Sequence, residues 1–265
     1  HYYILEVSGG LRDLQQANIR QEIPQLAERV VWIERWPEEF VGVILANEVL
    51  DAMPVHRFLK TEEGLCESWV CLDSAGNLRE EYRSEIHPAL KAYVQTRLVD
   101  LPCPYQSEVN LLAGAWVREL ADVLSKGVVL LFDYGFPRHE YYHPDRRMGT
   151  LMCHYQHQSH PEPLQHPGEQ DITAHVDFTL IAEEAFDAGL HVAGFTNQAS
   201  FLLANGLLSL LDTNAPTIVD VKQKQAVKQL THPHEMGELF KVMALSKGIE
   251  LDLQGFILSD KRASL

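Results

Sequence analysis

The chain has 265 residues and is 46% hydrophobic and 22% charged. That is an ordinary globular composition, and it excludes wholly disordered, collagen-like and disulfide-scaffold proteins. Against 37 Asp and Glu stand only 22 Lys and Arg, a net charge of −15, which argues against general binding of nucleic acid or anionic membrane and suits a cationic partner. Cys66, Cys71, Cys103 and Cys153 form no CxxC pair, so neither a zinc ribbon nor a redox motif is expected, and a reducing compartment is the simpler reading. No run of about 18 apolar residues marks a membrane span, and no signal peptide is visible.

His1–Val7 reads as an apolar strand from the first residue onward. Chains seldom begin inside a buried strand, so the sequence is expected to be a fragment without its N-terminal part. Ser8-Gly9-Gly10 turns the chain, and Leu11, Leu14, Ala17 and Asn18 then follow helical spacing up to a stop near Pro24. Val30–Ile33, Val41–Ala46 and Gly127–Phe132 are continuous apolar runs. Such runs separated by helices predict a parallel α/β sheet covered on both faces. Between the last two lies an insertion, about 55–108, whose segments Val55–Lys60, Leu65–Leu72 and Leu78–Arg83 predict a β-meander. Val109, Leu112, Trp116, Leu120 and Val123 predict an amphipathic helix. Residues 134–172 are rich in His, Pro, Tyr and Arg and read as one long functional or unstructured loop. Asp177 is placed as the N-cap of a helix using Phe178, Ile181, Ala185 and Phe186 and closed by Gly189. A strand at His191–Phe195, a helix over Phe201–Leu211 and a last strand at Phe240–Leu245 complete the chain, read as one domain over residues 1–265.

Polar residues gather at strand ends. Glu6 follows the first strand, where nucleoside-binding doubly wound folds hold their ligands and a carboxylate accepts from both ribose hydroxyls. A solvated strand-end acid is the equal alternative. Asn47, Glu48 and Asp51 crowd the end of the second buried run. On a helical turn Glu48 and Asp51 would share a face and could bind a cation or handle a proton. Capping by Asn47 with a first-turn acid is the plainer explanation. Asp133-Tyr134-Gly135 follows the third run, where a tight turn is the bland reading. His154, His157 and His160 suggest zinc, but neither helical nor strand spacing converges them, so no metal is expected. Asp171 and His175 precede the Asp177 cap and are candidate acid–base groups.

The strings ILANEVLDAMPVHRF (44–58), LLFDYGFPR (130–138), GTLMCHYQHQSH (149–160), PGEQDITAHVDF (167–178), ASFLLANGLL (199–208) and MGELFKVMALSKGI (236–249) together resemble the MidA-like family. YYILEVSGGLRDLQ (2–15) is similar to that family's second strand and following helix. The resemblance implies the Rossmann-like, seven-stranded fold of S-adenosylmethionine-dependent methyltransferases, its last strand antiparallel. It implies S-adenosyl-L-methionine as cofactor and, as in the mitochondrial complex I assembly members, a protein arginine as acceptor, with no nucleic acid or membrane as partner. A homodimer is a further expectation. Location would be cytoplasmic in a bacterium and the mitochondrial matrix in a eukaryote. The family's first strand and Gly-rich loop should stand before His1, and Gly9-Gly10 replaces a proline usual in relatives.

Carried over by motif, Glu6 would hold the ribose and Trp32 would border the adenine, with Asn47 and Asp133 also touching the cofactor. Glu48, Asp51, Asp171 and His175 would form the catalytic group, with Tyr134 on the acceptor side. Methyl transfer is an in-line displacement in which positioning supplies much of the rate. A guanidinium is always protonated in water, so it needs carboxylates to orient it and a route for its proton. Two rival readings remain. A non-catalytic scaffold on a truncated methyltransferase fold would explain the absent Gly-rich loop. An NAD-dependent dehydrogenase also uses an acid after the second strand, but no second, substrate-binding domain is visible.

Overall fold

The computed structural model describes residues 1–156, 158–211, 218–250 and 252–265. In chain order it runs β1 (Tyr2–Leu5), α1 (Gly9–Glu22), β2 (Val30–Ile33), β3 (Phe40–Asn47), β4 (His56–Thr61), β5 (Gly64–Leu72), β6 (Leu78–Arg83), α2 (Pro88–Arg97) and β7 (Tyr105–Val109). It continues with α3 (Leu111–Val123), β8 (Leu124–Phe136), α4 (Arg138–Tyr141), β9 (Met152–Tyr155), β10 (Gln158–His160), β11 (Asp171–Thr173) and β12 (Val176–Asp177). Last come α5 (Phe178–Asp187), β13 (His191–Asn197), α6 (Gln198–Ala204), α7 (Ile218–Thr231) and β14 (Phe240–Lys247).

The central sheet is mixed, not wholly parallel as the apolar runs suggested. β3 pairs with β8 in parallel, and β14 lies antiparallel between β8 and β13. The antiparallel last strand agrees with the family resemblance. β8 is the longest strand and outruns its neighbour. β3 covers it only as far as Phe132, and β12 joins the same edge at Gly135 and Phe136. Asp133 and Tyr134 therefore sit at a gap in the edge, where the chain leaving β3 turns away. The core beneath is built by Ile44, Ala46, Leu50, Val129, Leu131, Met243 and Leu245 against Val117 and Leu120 of α3 and Phe178 and Ile181 of α5. Asp177 caps α5 by accepting from Thr179 and Leu180 amides, and Gly189 closes it with φ +82°. Phe186, expected inside, is 73% exposed.

β1 and β2 pair in parallel, Ile4 beside Trp32, with α1 as their crossover. Ser8 caps α1 through the Leu11 amide. Leu11 and Leu14 keep helical spacing but remain exposed, as do Val41, Val43 and Leu45 of β3.

The predicted meander exists as β4, β5 and β6, and β7 returns beside β4 to complete a four-stranded antiparallel sheet. α2 covers it, with Leu90, Val94 and Leu98 packed on Phe58, Tyr105 and Val109. Sequence reading missed α2 and β7. Val109 was expected to open the next helix and instead ends β7. Residues 134–172 are not one loop: β10, β9 and β11 form a three-stranded arm after the short α4. The helix expected at Phe201–Leu211 is shorter. α6 ends at Ala204, and Gly206 at φ +80° leads into a 3-10 turn.

His154 lies on β9 and His160 on β10, while His157 falls outside the described residues. Among the described residues no group of His, Cys, Asp and Glu is arranged to hold a metal. Nor is any helix among them long and apolar enough to cross a membrane.

Candidate active site

Two polar constellations face the carboxyl ends of the parallel strands. The first lies beyond β1. Glu6 accepts from the Ser8 amide at 2.9 Å with one carboxylate oxygen and from Gln15 Nε2 at 3.0 Å with the other. The Gln15 carbonyl in turn accepts from Trp32 Nε1 at 2.9 Å. Parallel pairing of β1 with β2 brings Glu6 and Trp32 to the same end, and the first turns of α1 supply Gln15. Each Glu6 oxygen keeps an acceptor position free for a hydroxyl. The residues present thus fit the ribose end of S-adenosylmethionine, and Gln15, which sequence reading passed over, couples Glu6 to Trp32.

The second constellation fills the gap on the β8 edge. After β3 the chain does not form a helical turn. Glu48 adopts a left-handed conformation, φ 51°, unusual for a residue with a side chain. Its amide donates to the Phe132 carbonyl at 2.9 Å. Consequently Glu48 and Asp51 do not share a helix face: Glu48 is exposed, with Asn47 Nδ2 at 3.2 Å, whereas Asp51 is 5% exposed. Asn47 caps nothing, and its side-chain contact is the one to Glu48.

Asp133, expected to touch the cofactor, has another employment. It is 1% exposed and accepts from the amides of Leu50 at 3.0 Å, Asp51 at 3.3 Å and Tyr134 at 2.9 Å. It pins the turn after β3 to the sheet from within. Burial, reinforced by the charge of Asp51, pushes its carboxyl up to about 7 against the pull of those amides. Asp51 accepts a short hydrogen bond from the Tyr134 hydroxyl through Oδ2, and its buried Oδ1 has no partner. Burial first, and then that bond, raise the Tyr134 phenol.

His175 closes the constellation. Its ring stacks on Phe136, centroids 5.4 Å apart and 13° between planes, and meets Tyr134 edge-on at 5.1 Å. Nδ1 is buried without a partner. Burial lowers the imidazole to about 4, and the positive charges of Arg146 and Lys241 push the same way. Both cations lie over the Phe136 ring, at 4.5 and 5.5 Å from its centroid. The ring is therefore neutral near pH 7. Lys241 itself is brought down to about 8, chiefly by burial.

Asp171 is not brought in. It sits exposed on β11, paired across to His154. The Ala174 amide holds the Asp51 carbonyl at 3.0 Å; Asp171 lies three extended residues away, about 10 Å.

Comparison with known proteins places this geometry in a family. Residues 1–196 match the family model described as "Putative S-adenosyl-L-methionine-dependent methyltransferase". The zebrafish (Danio rerio) mitochondrial protein arginine methyltransferase NDUFAF7 is 31% identical over 219 residues, covering 80% of this chain and 49% of that protein. The chain spans about half the length of the curated relatives it matches. A Burkholderia thailandensis crystal structure superposes with a TM-score of 0.94 at 42% identity, over 100% of this chain and 71% of that one. Another from the same organism, bound to S-adenosyl-homocysteine, superposes with a TM-score of 0.93 at 41% identity, over 100% and 68%. The fold and these matches agree with the MidA-like resemblance of the motifs: the chain belongs to this family of S-adenosyl-L-methionine-dependent methyltransferases.

Proposed function

We propose that the chain transfers a methyl group from S-adenosylmethionine to a guanidinium nitrogen of a protein arginine. The observation that carries this reading is the pairing, at one sheet edge, of carboxylates suited to a cation with a neutral, unpartnered imidazole. Glu48 is exposed at the mouth, and the buried Asp51 keeps one carboxylate oxygen without a partner. Together they attract and orient a guanidinium. His175 Nδ1 is buried and unpartnered.

When bound, the cofactor supplies an electrophilic methyl on a sulfonium. Glu6 would hold the ribose hydroxyls, with Gln15 and Trp32 fixing its carboxylate. As the nitrogen–carbon bond forms and the sulfur–carbon bond breaks, the guanidinium becomes a strong acid and must release one proton. His175 takes that proton at Nε2, the ring nitrogen that is not shut off by burial. An imidazole lowered to about 4 suffices, because the doubly charged guanidinium is a far stronger acid. Asp51 and the Tyr134 hydroxyl stabilise the charge that appears there. The names of the curated relatives, protein arginine methyltransferases, support the choice of acceptor.

The test is mass spectrometry of a synthetic peptide with a single arginine between glycines, incubated with S-adenosylmethionine and the full chain. Methylarginine is expected, and a peptide with lysine in its place should stay unmodified. Methyl transfer to lysine, or none to arginine while cofactor is bound, would overturn the reading.

A further inference from the structure

Glu108 is a buried acid that the chemistry above leaves unused. It stands on β7, outside the central sheet, and is 1% exposed. One carboxylate oxygen accepts from the Tyr141 hydroxyl at 2.8 Å, the Thr150 amide at 2.7 Å and the Thr150 hydroxyl at 2.7 Å. The other oxygen is buried and unpartnered. Gly149, at φ +74°, passes so close that a Cβ there would stand 2.2 Å from it. Conformation and space both demand glycine at this point.

A threonine hydroxyl has one proton. Here it is committed to Glu108, so the Thr150 oxygen must act as acceptor toward the backbone amide of His175, at 3.0 Å; the Tyr141 hydroxyl lies 3.2 Å from the same oxygen. The rest of the segment is fastened to the same strand: the Gln106 amide donates to Arg147, and the Tyr142 hydroxyl to the Glu108 carbonyl. A chain of contacts thus runs from the inserted sheet to the imidazole that faces Tyr134.

We infer that Glu108 and Thr150 are positioning residues for methyl transfer: the Glu108 carboxyl orients the Thr150 hydroxyl, which holds the His175 backbone and so aims the imidazole at the acceptor. The inference rests on the reading of His175 as proton acceptor. Without the hydroxyl, the ring loses its fixed place between Phe136 and Tyr134. Thr150→Val keeps the shape of the side chain and leaves Glu108 two donors, so the fold should survive.

The test reads His175 directly. The groups facing its ring are Tyr134 from β8, with Asp51 behind it, Arg146 from the segment after α4 and Lys241 from β14. Their joint effect is sensitive to ring position. The imidazole resonances of the full chain are followed by NMR across pH, with the His175 signal assigned by its loss in His175→Phe. In Thr150→Val the midpoint should rise from about 4 toward the ordinary value of about 6.5, and Thr150→Ser should restore it. Thr150→Ala, expected to behave like valine, covers the case in which the valine variant does not fold. A His175 titration unchanged in both variants would overturn the inference. Failure of the underlying reading looks different: His175→Phe would then methylate the arginine peptide as fast as the parent, whatever the titration shows.

Discussion

The two halves of the site are made in opposite ways. The side proposed for the ribose, Glu6, Gln15 and Trp32, is assembled from residues nine and 17 positions apart in partly exposed surroundings. The side proposed for the acceptor joins residues 82 and 83 positions apart in a buried gap. Water can replace a lost partner in the first and cannot in the second. Mutations on the ribose side should therefore read mainly as lost affinity, and those on the acceptor side as lost stability together with lost turnover.

The largest effect is expected from Asp133→Ala. It strands the amides of Leu50, Asp51 and Tyr134. A buried amide left unpaired costs about 1–3 kcal/mol, so urea unfolding should show a loss of about 3 kcal/mol or more. An unchanged midpoint would mean that the turn after β3 is held by something other than Asp133, and the contrast would fail.

Glu48→Gly sharpens the contrast by separating function from stability inside the acceptor half. The left-handed backbone at Glu48 disfavours a side chain by about 1–2 kcal/mol. Glycine there should leave stability equal or higher by about 1 kcal/mol, offset in part by the greater freedom of the unfolded chain. Arginine methylation should nevertheless fall at least tenfold, since a carboxylate at the mouth is gone. Loss of fold instead of turnover would make Glu48 a structural residue.

On the ribose side, Glu6→Gln should weaken S-adenosyl-homocysteine binding about tenfold, or about 1.4 kcal/mol, with little change in melting temperature. Calorimetry giving the parent affinity would remove Glu6 from the cofactor site.

The smallest effect concerns pH. His175 is lowered in the folded state, so below its unfolded value of about 6.5 the unfolded chain takes up a proton that the native one refuses. This contribution costs stability as pH falls from about 6.5 to about 4, and the loss levels off below that. His175→Phe should flatten the decline in that window relative to the parent. Asp133, raised to about 7, acts in the opposite sense: its native carboxyl keeps a proton the unfolded chain has released, so that contribution weakens as pH rises from about 4 to about 7. Parallel melting curves for parent and His175→Phe across pH would show that the imidazole is not kept neutral by burial.

Continuous apolar runs marked β3 and β8, because such a run is written locally. Asp177 as a cap was legible for the same reason: the amides it accepts from, those of Thr179 and Leu180, lie in the first turn of its own helix. β7 was not, since its middle residues Gln106, Ser107 and Glu108 are polar, and two of them are buried by partners far along the chain. The sequence alone determined which residue types stand at the strand ends, and through its motifs it pointed to the family. Only the tertiary structure decided their employment. Asp133 and Asp51 both follow apolar runs, yet one became a backbone clamp, while the other takes the Tyr134 hydroxyl and keeps its second oxygen unpartnered. β8 outruns β3 and opens a gap on one edge, and the length of a strand's neighbour is a property of pairing that no local pattern carries.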